Sequence, residues 1–305
     1  MSSCLSLKFL FSCFLMKRRD FIINAGGLLV TLPSFARSSN LPYMDQIGIQ
    51  LYTLRKEISR DLKGTIKAVA ESGYKQVEPY GFPSPQSIEM IKGARKCGMK
   101  VNSSHFDWNS ILHPERKGVT EFKRIVALAK ELELFHLVVP YLAEEDRKSL
   151  DGYKTVAEKI NKSSEVTADA DIQLAYHNHA FEFKPYQKKQ TGYEIFIQDF
   201  SKNVAFELDV FWVKLGGADP VSMIKKLKGR VSQLHLKDLK NKSKIPNFGS
   251  VPPDTFDEIG DGMINMIPIM KIAQKTGVLH CHIEQDQSPN PIASIQKSLS
   301  FLHSK

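Results

Sequence analysis

Short apolar runs recur along the chain at residues 47–52, 76–78, 100–105, 135–140, 172–177, 204–209, 231–236 and 278–284. Runs of this length, bounded by Gly, Pro and polar residues, predict strands buried on both faces. The stretches between them carry helical spacing. Asp61 is a ready N-cap for a helix with Leu62, Ile66, Val69 and Ala70 on one face, stopping near Gly73. Residues 120–132 repeat the pattern with Phe122, Val126, Leu128 and Ala129, and Asp219-Pro220 opens another helix with Pro in its first turn. Helices are also predicted through Val156 and Ile160, around 194–200 and at 263–275, whereas Pro246, Gly249, Pro252 and Pro253 mark a long loop. Strand followed by helix, eight times over, predicts parallel βαβ units closed into a single (β/α)8 TIM barrel. No Gly-x-Gly-x-x-Gly turn follows the first strand and no Walker loop occurs, so doubly wound nucleotide folds lose support.

The carboxyl ends of these strands are unusual. They carry Tyr176-His177-Asn178-His179, Glu207-Leu208-Asp209, His235-Leu236-Lys237-Asp238 and His282-Ile283-Glu284-Gln285-Asp286. Ionisable side chains are expensive inside a parallel sheet unless they converge on something charged. In a barrel they do converge, because all the carboxyl ends open on one face, where active sites are built. Imidazoles and carboxylates form a mixed N/O ligand set suited to a divalent metal such as Mn, Zn, Co or Mg. Taken singly, a histidine such as His136 or His280 reads as structural; several strand ends together read as a site.

Composition narrows the picture. Lys17-Arg18-Arg19, the apolar run 23–32 and Pro33-Ser34-Phe35-Ala36 have the form of an export signal of the twin-arginine type, with Met16 the expected start. Residues 1–36 are therefore expected to be a leader, residues 43–305 the barrel, and the protein periplasmic or exported. Past the leader no segment is apolar enough to span a membrane. Cys97 and Cys281, the cysteines beyond it, are too few for a disulfide framework. The formal charge of +9 is inflated by the leader, and the lysines are spread over helices without interleaved aromatics, which argues against a nucleic-acid partner.

The motifs Ala175-Tyr176-His177-Asn178-His179-Ala180-Phe181-Glu182-Phe183, Leu208-Asp209-Val210-Phe211-Trp212, His235-Leu236-Lys237-Asp238, Glu258-Ile259-Gly260-Asp261-Gly262 and Ile283-Glu284-Gln285-Asp286 resemble the sugar phosphate isomerase/epimerase family of xylose-isomerase-like barrels. The resemblance runs from about Ile47 to the C-terminus. It implies a divalent metal held by Asp209, His235 and Glu284, with Glu182 folding back as the favoured fourth ligand and His177 the alternative. It implies proton transfer next to a carbonyl through an enediolate, with Glu182 and Glu284 as the acid/base pair and His177 and Lys237 as further catalytic candidates. His105, His179, Trp212 and Glu258 are the expected substrate contacts, and Tyr52, Phe106, Trp108 and Phe211 could stack on a sugar. No basic cluster at the strand ends would grip a phosphate, so a free sugar or ketosugar is the expected substrate. The leading expectation is a sugar isomerase or epimerase. A 3-keto-glycoside lyase or hydratase, a non-catalytic sugar-binding barrel and an apurinic endonuclease-like enzyme stay open as alternatives, and the resemblance admits a homodimer.

Overall fold

The computed structural model describes residues 41–186 and 189–305; the expected leader lies outside them. Eight parallel strands form the barrel: β1 (Gly48–Gln50), β2 (Gln76–Glu78), β3 (Ser103–His105), β4 (His136–Val139), β5 (Gln173–His177), β6 (Val204–Asp209), β7 (Val231–Leu236) and β10 (His280–Ile283). Their order in the sheet is β2-β1-β10-β7-β6-β5-β4-β3. The remaining seam, between β2 and β3, is stitched by bridges at Gln76–Lys100 and Phe82–Phe106 and by the Val77 N–H donating to the Lys100 carbonyl at 2.9 Å. The predicted barrel is thus the observed one, with strands trimmed at their ends where the pairing gives way to turns.

The helices follow the predicted spacing. Asp61 caps helix Leu62–Glu71 by accepting the Gly64 N–H, and Gly277 ends helix Met266–Thr276 in the left-handed conformation. Thr191 and Glu194 form a reciprocal capping box on helix Gly192–Asp199. Several short elements went unread in the sequence, among them helices Arg55–Arg60 and Asn109–Leu112. Residues 210–215, directly after β6, form a short helix, and the long proline-containing loop carries the antiparallel pair β8 (Asp238–Leu239) and β9 (Phe256–Asp257).

Alternation along the strands separates two environments. Leu137, Val139, Leu174, Tyr176, Leu208 and Leu234 belong to the main core between sheet and helices. Residues of the opposite parity face the barrel interior, where Val138, Ala175 and Ala205 form a small separate apolar cluster. The rest of the interior is polar, and Gly48 is part of the reason it fits. A Cβ there would come within 2.3 Å of His282 Cδ2, so the missing side chain makes room for an imidazole at the level where β1 pairs with β10.

Asp238 ties the top of the barrel together. Its Oδ1 accepts the N–H groups of Leu239 at 2.8 Å and Ile264 at 2.9 Å, and its Oδ2 accepts those of Gly260 at 3.0 Å and Gly262 at 3.2 Å. A Cβ on Gly262 would meet Asp238 itself at 2.3 Å, so the glycine lets the backbone close on the carboxylate. This accounts for Lys237 not pairing with Asp238: the carboxylate is spent on backbone. Asp238→Ala should leave these donors unpaired and cost on the order of 3 kcal/mol of stability. Chemical denaturation checks this, and a loss below about 0.5 kcal/mol would contradict the assigned role.

Candidate active site

Side chains from four strand ends meet at the carboxyl face. His177 closes β5, Asp209 closes β6, His235 is the penultimate residue of β7, and Glu284 follows β10. All are buried, and each can offer a ligand atom within 4.8 Å of those of the others. Asp209 divides its carboxylate: Oδ1 accepts the Trp212 N–H at 3.0 Å and so caps the short helix after β6, leaving Oδ2 turned into the group. His177 Nε2 comes to 3.4 Å of Asp209 Oδ2 without an aligned hydrogen bond, and both atoms remain unpartnered by hydrogen bonding. Buried together and of complementary chemistry, two imidazole nitrogens and two carboxylates fit a first-row divalent cation, whose charge the carboxylates balance. Lys237 stands beside them, with Nζ 3.1 Å from Asp209 Oδ2, 2.8 Å from Glu284 Oε2 and 2.8 Å from Asp286 Oδ1.

A second layer lies beneath. His235 Nδ1 faces Glu284 Oε2 at 2.9 Å, while its Nε2 lies 2.7 Å from Glu78 Oε2 and 3.2 Å from Glu207 Oε1. His105 Nε2 reaches Glu207 Oε2 at 2.7 Å, Gln50 Nε2 donates to Glu78 Oε2 at 2.9 Å, and Gln233 Nε2 donates to Glu78 Oε1 at 3.0 Å. Glu207 is the functional candidate that sequence reasoning passed over. Its signal was the period of two, since it precedes Asp209 by two residues and must share its face.

Electrostatics follow from burial against proximity. Burial alone would drive the Glu78, Glu207 and Glu284 carboxyls up and the His105 and His235 imidazoles down, but packed together each holds the other charged. The carboxyls end below their usual range and both imidazoles above theirs. Lys237 is likewise held charged against burial by Asp209, Asp286 and Glu284. Burial and the neighbouring Glu284 push Asp286 up to about 6 against the pull of Lys237. Burial lowers His177 and His179, leaving neutral imidazoles.

A cavity of about 720 Å³ sits above the group, and His105, His177, His179, Trp212, Lys237 and Glu284 all line it. Asp286, Tyr80 and Tyr141, absent from the expected set, line it as well. Three expected residues are elsewhere: Phe211 is fully buried and stacked on Phe256, outside the cavity lining, and Glu258 and Glu182 are also displaced. Glu258 accepts a hydrogen bond from Ser294 at 2.6 Å and pairs with Lys297 at 3.4 Å, outside the cavity lining, because its loop is drawn onto the C-terminal helix. Glu182 accepts from Tyr176 OH at 2.6 Å and from the His179 N–H at 2.9 Å, and it does not join the group at the strand ends. The turn Phe181–Phe183 faces it inward behind His179, and the residue that stands beside Asp209, His235 and Glu284 in the strand-end group is His177.

Burial pushes Glu182 up to about 8 from an ordinary 4.5, opposed by those hydrogen bonds. A carboxyl raised in the folded state contributes stability that is complete below 4.5 and lost as pH rises through about 8. Glu182→Gln should therefore flatten the fall in stability between these pH values. It should leave metal affinity well short of the roughly 10–100-fold loss seen when a partner of a metal ligand is removed. Thermal melts across pH and metal titration check both, and a metal-free variant would restore Glu182 as a ligand.

Comparison with known proteins agrees with the barrel fold. Residues 66–305 match the xylose isomerase-like TIM barrel family. Inosose dehydratase from Clostridium botulinum (strain Eklund 17B / Type B) is 29% identical over 268 residues, covering 79% of this chain and 88% of that protein. A sugar phosphate isomerase/epimerase from Parabacteroides distasonis superposes with a TM-score of 0.71 at 25% identity, covering 90% of this chain and 98% of the other. The IolI protein, solved with a binding zinc atom, superposes with a TM-score of 0.64 at 15% identity, over 85% of this chain and 98% of that one. With a family match over most of its length and the barrel that such a match demands, the chain belongs to the xylose isomerase-like TIM barrels.

Proposed function

We propose that this chain is a divalent-metal-dependent enzyme that removes the proton next to the carbonyl of a non-phosphorylated keto-sugar or keto-cyclitol and expels a β-hydroxyl as water. The observation that carries this reading is the convergence of His177, Asp209, His235 and Glu284 beneath an open cavity, with hydrogen-bonding atoms of His177 and Asp209 left over. Those residues would hold the metal, which when bound would polarise the carbonyl and an adjacent hydroxyl. The Glu284 carboxylate, at the cavity floor, takes the α-proton. The Lys237 ammonium, 2.8 Å from both Glu284 and Asp286, gives a proton to the departing hydroxyl. The proton taken by Glu284 then passes to the neutral Lys237 amine beside it, which restores both groups, while Asp286 holds Lys237 in place. The same first step followed by reprotonation on the other face is epimerisation, which the likeness to a sugar phosphate isomerase/epimerase keeps as the second reading. The likeness to inosose dehydratase and the placing of Lys237 favour loss of water.

The cavity supports an uncharged polyol. Lys237 is the one Lys or Arg lining it among the described residues, and three carboxylates already offset that charge. Trp108 and Trp212 line it with buried indole N–H groups that have no protein acceptor, as hydroxyl oxygens of a sugar would provide. Tyr52, Tyr80 and Phe256 add flat faces for ring carbons. The twin-arginine-like leader supports export to the periplasm, where phosphorylated sugars are scarce.

Incubating the metal-loaded enzyme with a panel of keto-sugars and inososes in D₂O separates the readings. Dehydration gives an ultraviolet-absorbing enone, whereas epimerisation gives deuterium at the carbon beside the carbonyl without loss of water. Glu284→Gln should lower both signals by about 10²-fold or more. Lys237→Gln should suppress water loss while deuterium still enters substrate. No enone and no deuterium in any substrate, with metal bound, would leave a binding protein instead.

A further inference from the structure

The interior of a (β/α)8 barrel is ordinarily filled by layers of bulky branched side chains. Below the Glu78–Glu207 layer this barrel departs from that rule. Several of its apolar residues there are small, with Gly48, Ala175 and Ala205 where larger side chains would pack. Several of its polar atoms there are unpaired. Ser103 Oγ, His136 Nδ1, Gln233 Oε1, His280 Nδ1 and both ring nitrogens of His282 are buried with no hydrogen-bond partner. The three imidazoles form a ladder up the barrel, with ring centres 5.8 Å apart from His136 to His280, 6.3 Å from His280 to His282 and 6.1 Å from His282 to His235.

So many orphaned groups in one place exceed what a fold tolerates without partners. The rings stand too far apart to satisfy one another, and they are not among the residue groups close enough to share a cation. A cavity of about 480 Å³ opens at the amino-terminal face, lined by His136, Gln173, Ala205 and Val231, so the ladder begins at a solvent-facing mouth. Water is the partner small enough to enter and able to both give and accept hydrogen bonds.

We propose that a file of ordered water occupies the lower half of the barrel, entering at the amino-terminal cavity and ending against the Glu78–Glu207 layer. It stops there because Gln50, Gln233, His105 and His235 already occupy the lone pairs of those carboxylates. The file therefore carries protons to the underside of the layer rather than water through it. The unpartnered ring nitrogens, two on His282 and one each on His136 and His280, give such a file its hydrogen-bonding wall. For the proton-transfer reaction proposed above, on which this use of the file rests, solvent stays connected from below while substrate fills the mouth.

Two measurements test the file, and neither depends on activity, so its failure is distinct from failure of the functional reading. A crystal structure of the purified protein should show water density within hydrogen-bond reach of His282, His136 and Ser103; an empty chamber, or an ion in it, would overturn the proposal. Ala175→Ser adds a hydroxyl beside the file. In a hydrated chamber its melting temperature should match wild type within about 1 °C, whereas an unpartnered hydroxyl in a dry one should lower it by roughly 2–4 °C or more. A fall of that size would count against the water file.

Discussion

One imidazole, His235, joins the halves of this barrel. Its upper nitrogen faces Glu284 at 2.9 Å and its lower nitrogen faces Glu78 at 2.7 Å and Glu207 at 3.2 Å. A ligand histidine whose far nitrogen is held by a carboxylate has its ring orientation set and its basicity raised. Here two carboxylates do this, and they are in turn held by His105, Gln50 and Gln233. The ring cannot turn without breaking bonds in both layers. Every other feature of the site, from the direction of Glu284 to the place of Lys237, is arranged around that fixed ring.

Such a design works only inside a rigid frame. Charges buried at this density are tolerated because each carboxylate finds a cationic or N–H partner, and removing one partner would strand the rest. The frame is supplied by the apolar layer between sheet and helices, which is continuous around the barrel. Asp209 shows how local structure and chemistry share one side chain: one oxygen caps a helix, and that bond turns the other toward His177 and Lys237. Asp238 does the corresponding work for the loop over the barrel, where the Gly260 and Gly262 N–H groups close on it.

Much of this was legible in the chain. The strand–helix alternation identified the barrel, and the polar strand ends pointed to Asp209, His235 and Glu284, which the structure brings into one group, because their position at a strand's carboxyl end is a matter of one-dimensional order. What failed was anything that depends on how a turn folds. Glu182 was expected to reach back to the ligand group, yet the turn at Phe181–Phe183 delivers it to Tyr176 instead. Glu258 sits in a motif with two glycines just after it, and only the packing on Ser294 and Lys297 shows that it leaves the cavity. Glu207 lay in plain view two residues before Asp209, but a carboxylate inside a barrel is expected only once its imidazole and amide partners from β3 and β7 are seen together.

The central claim is that His177, Asp209, His235 and Glu284 form one cation site of two imidazoles and two carboxylates. X-ray absorption at the metal edge of the purified, metal-loaded protein measures that donor set directly. The account predicts two imidazoles at roughly 2.0–2.1 Å together with carboxylate oxygens at about 2.0–2.2 Å, and loss of one imidazole's scattering in His177→Ala. A spectrum with a single imidazole, unchanged by that substitution, would contradict it.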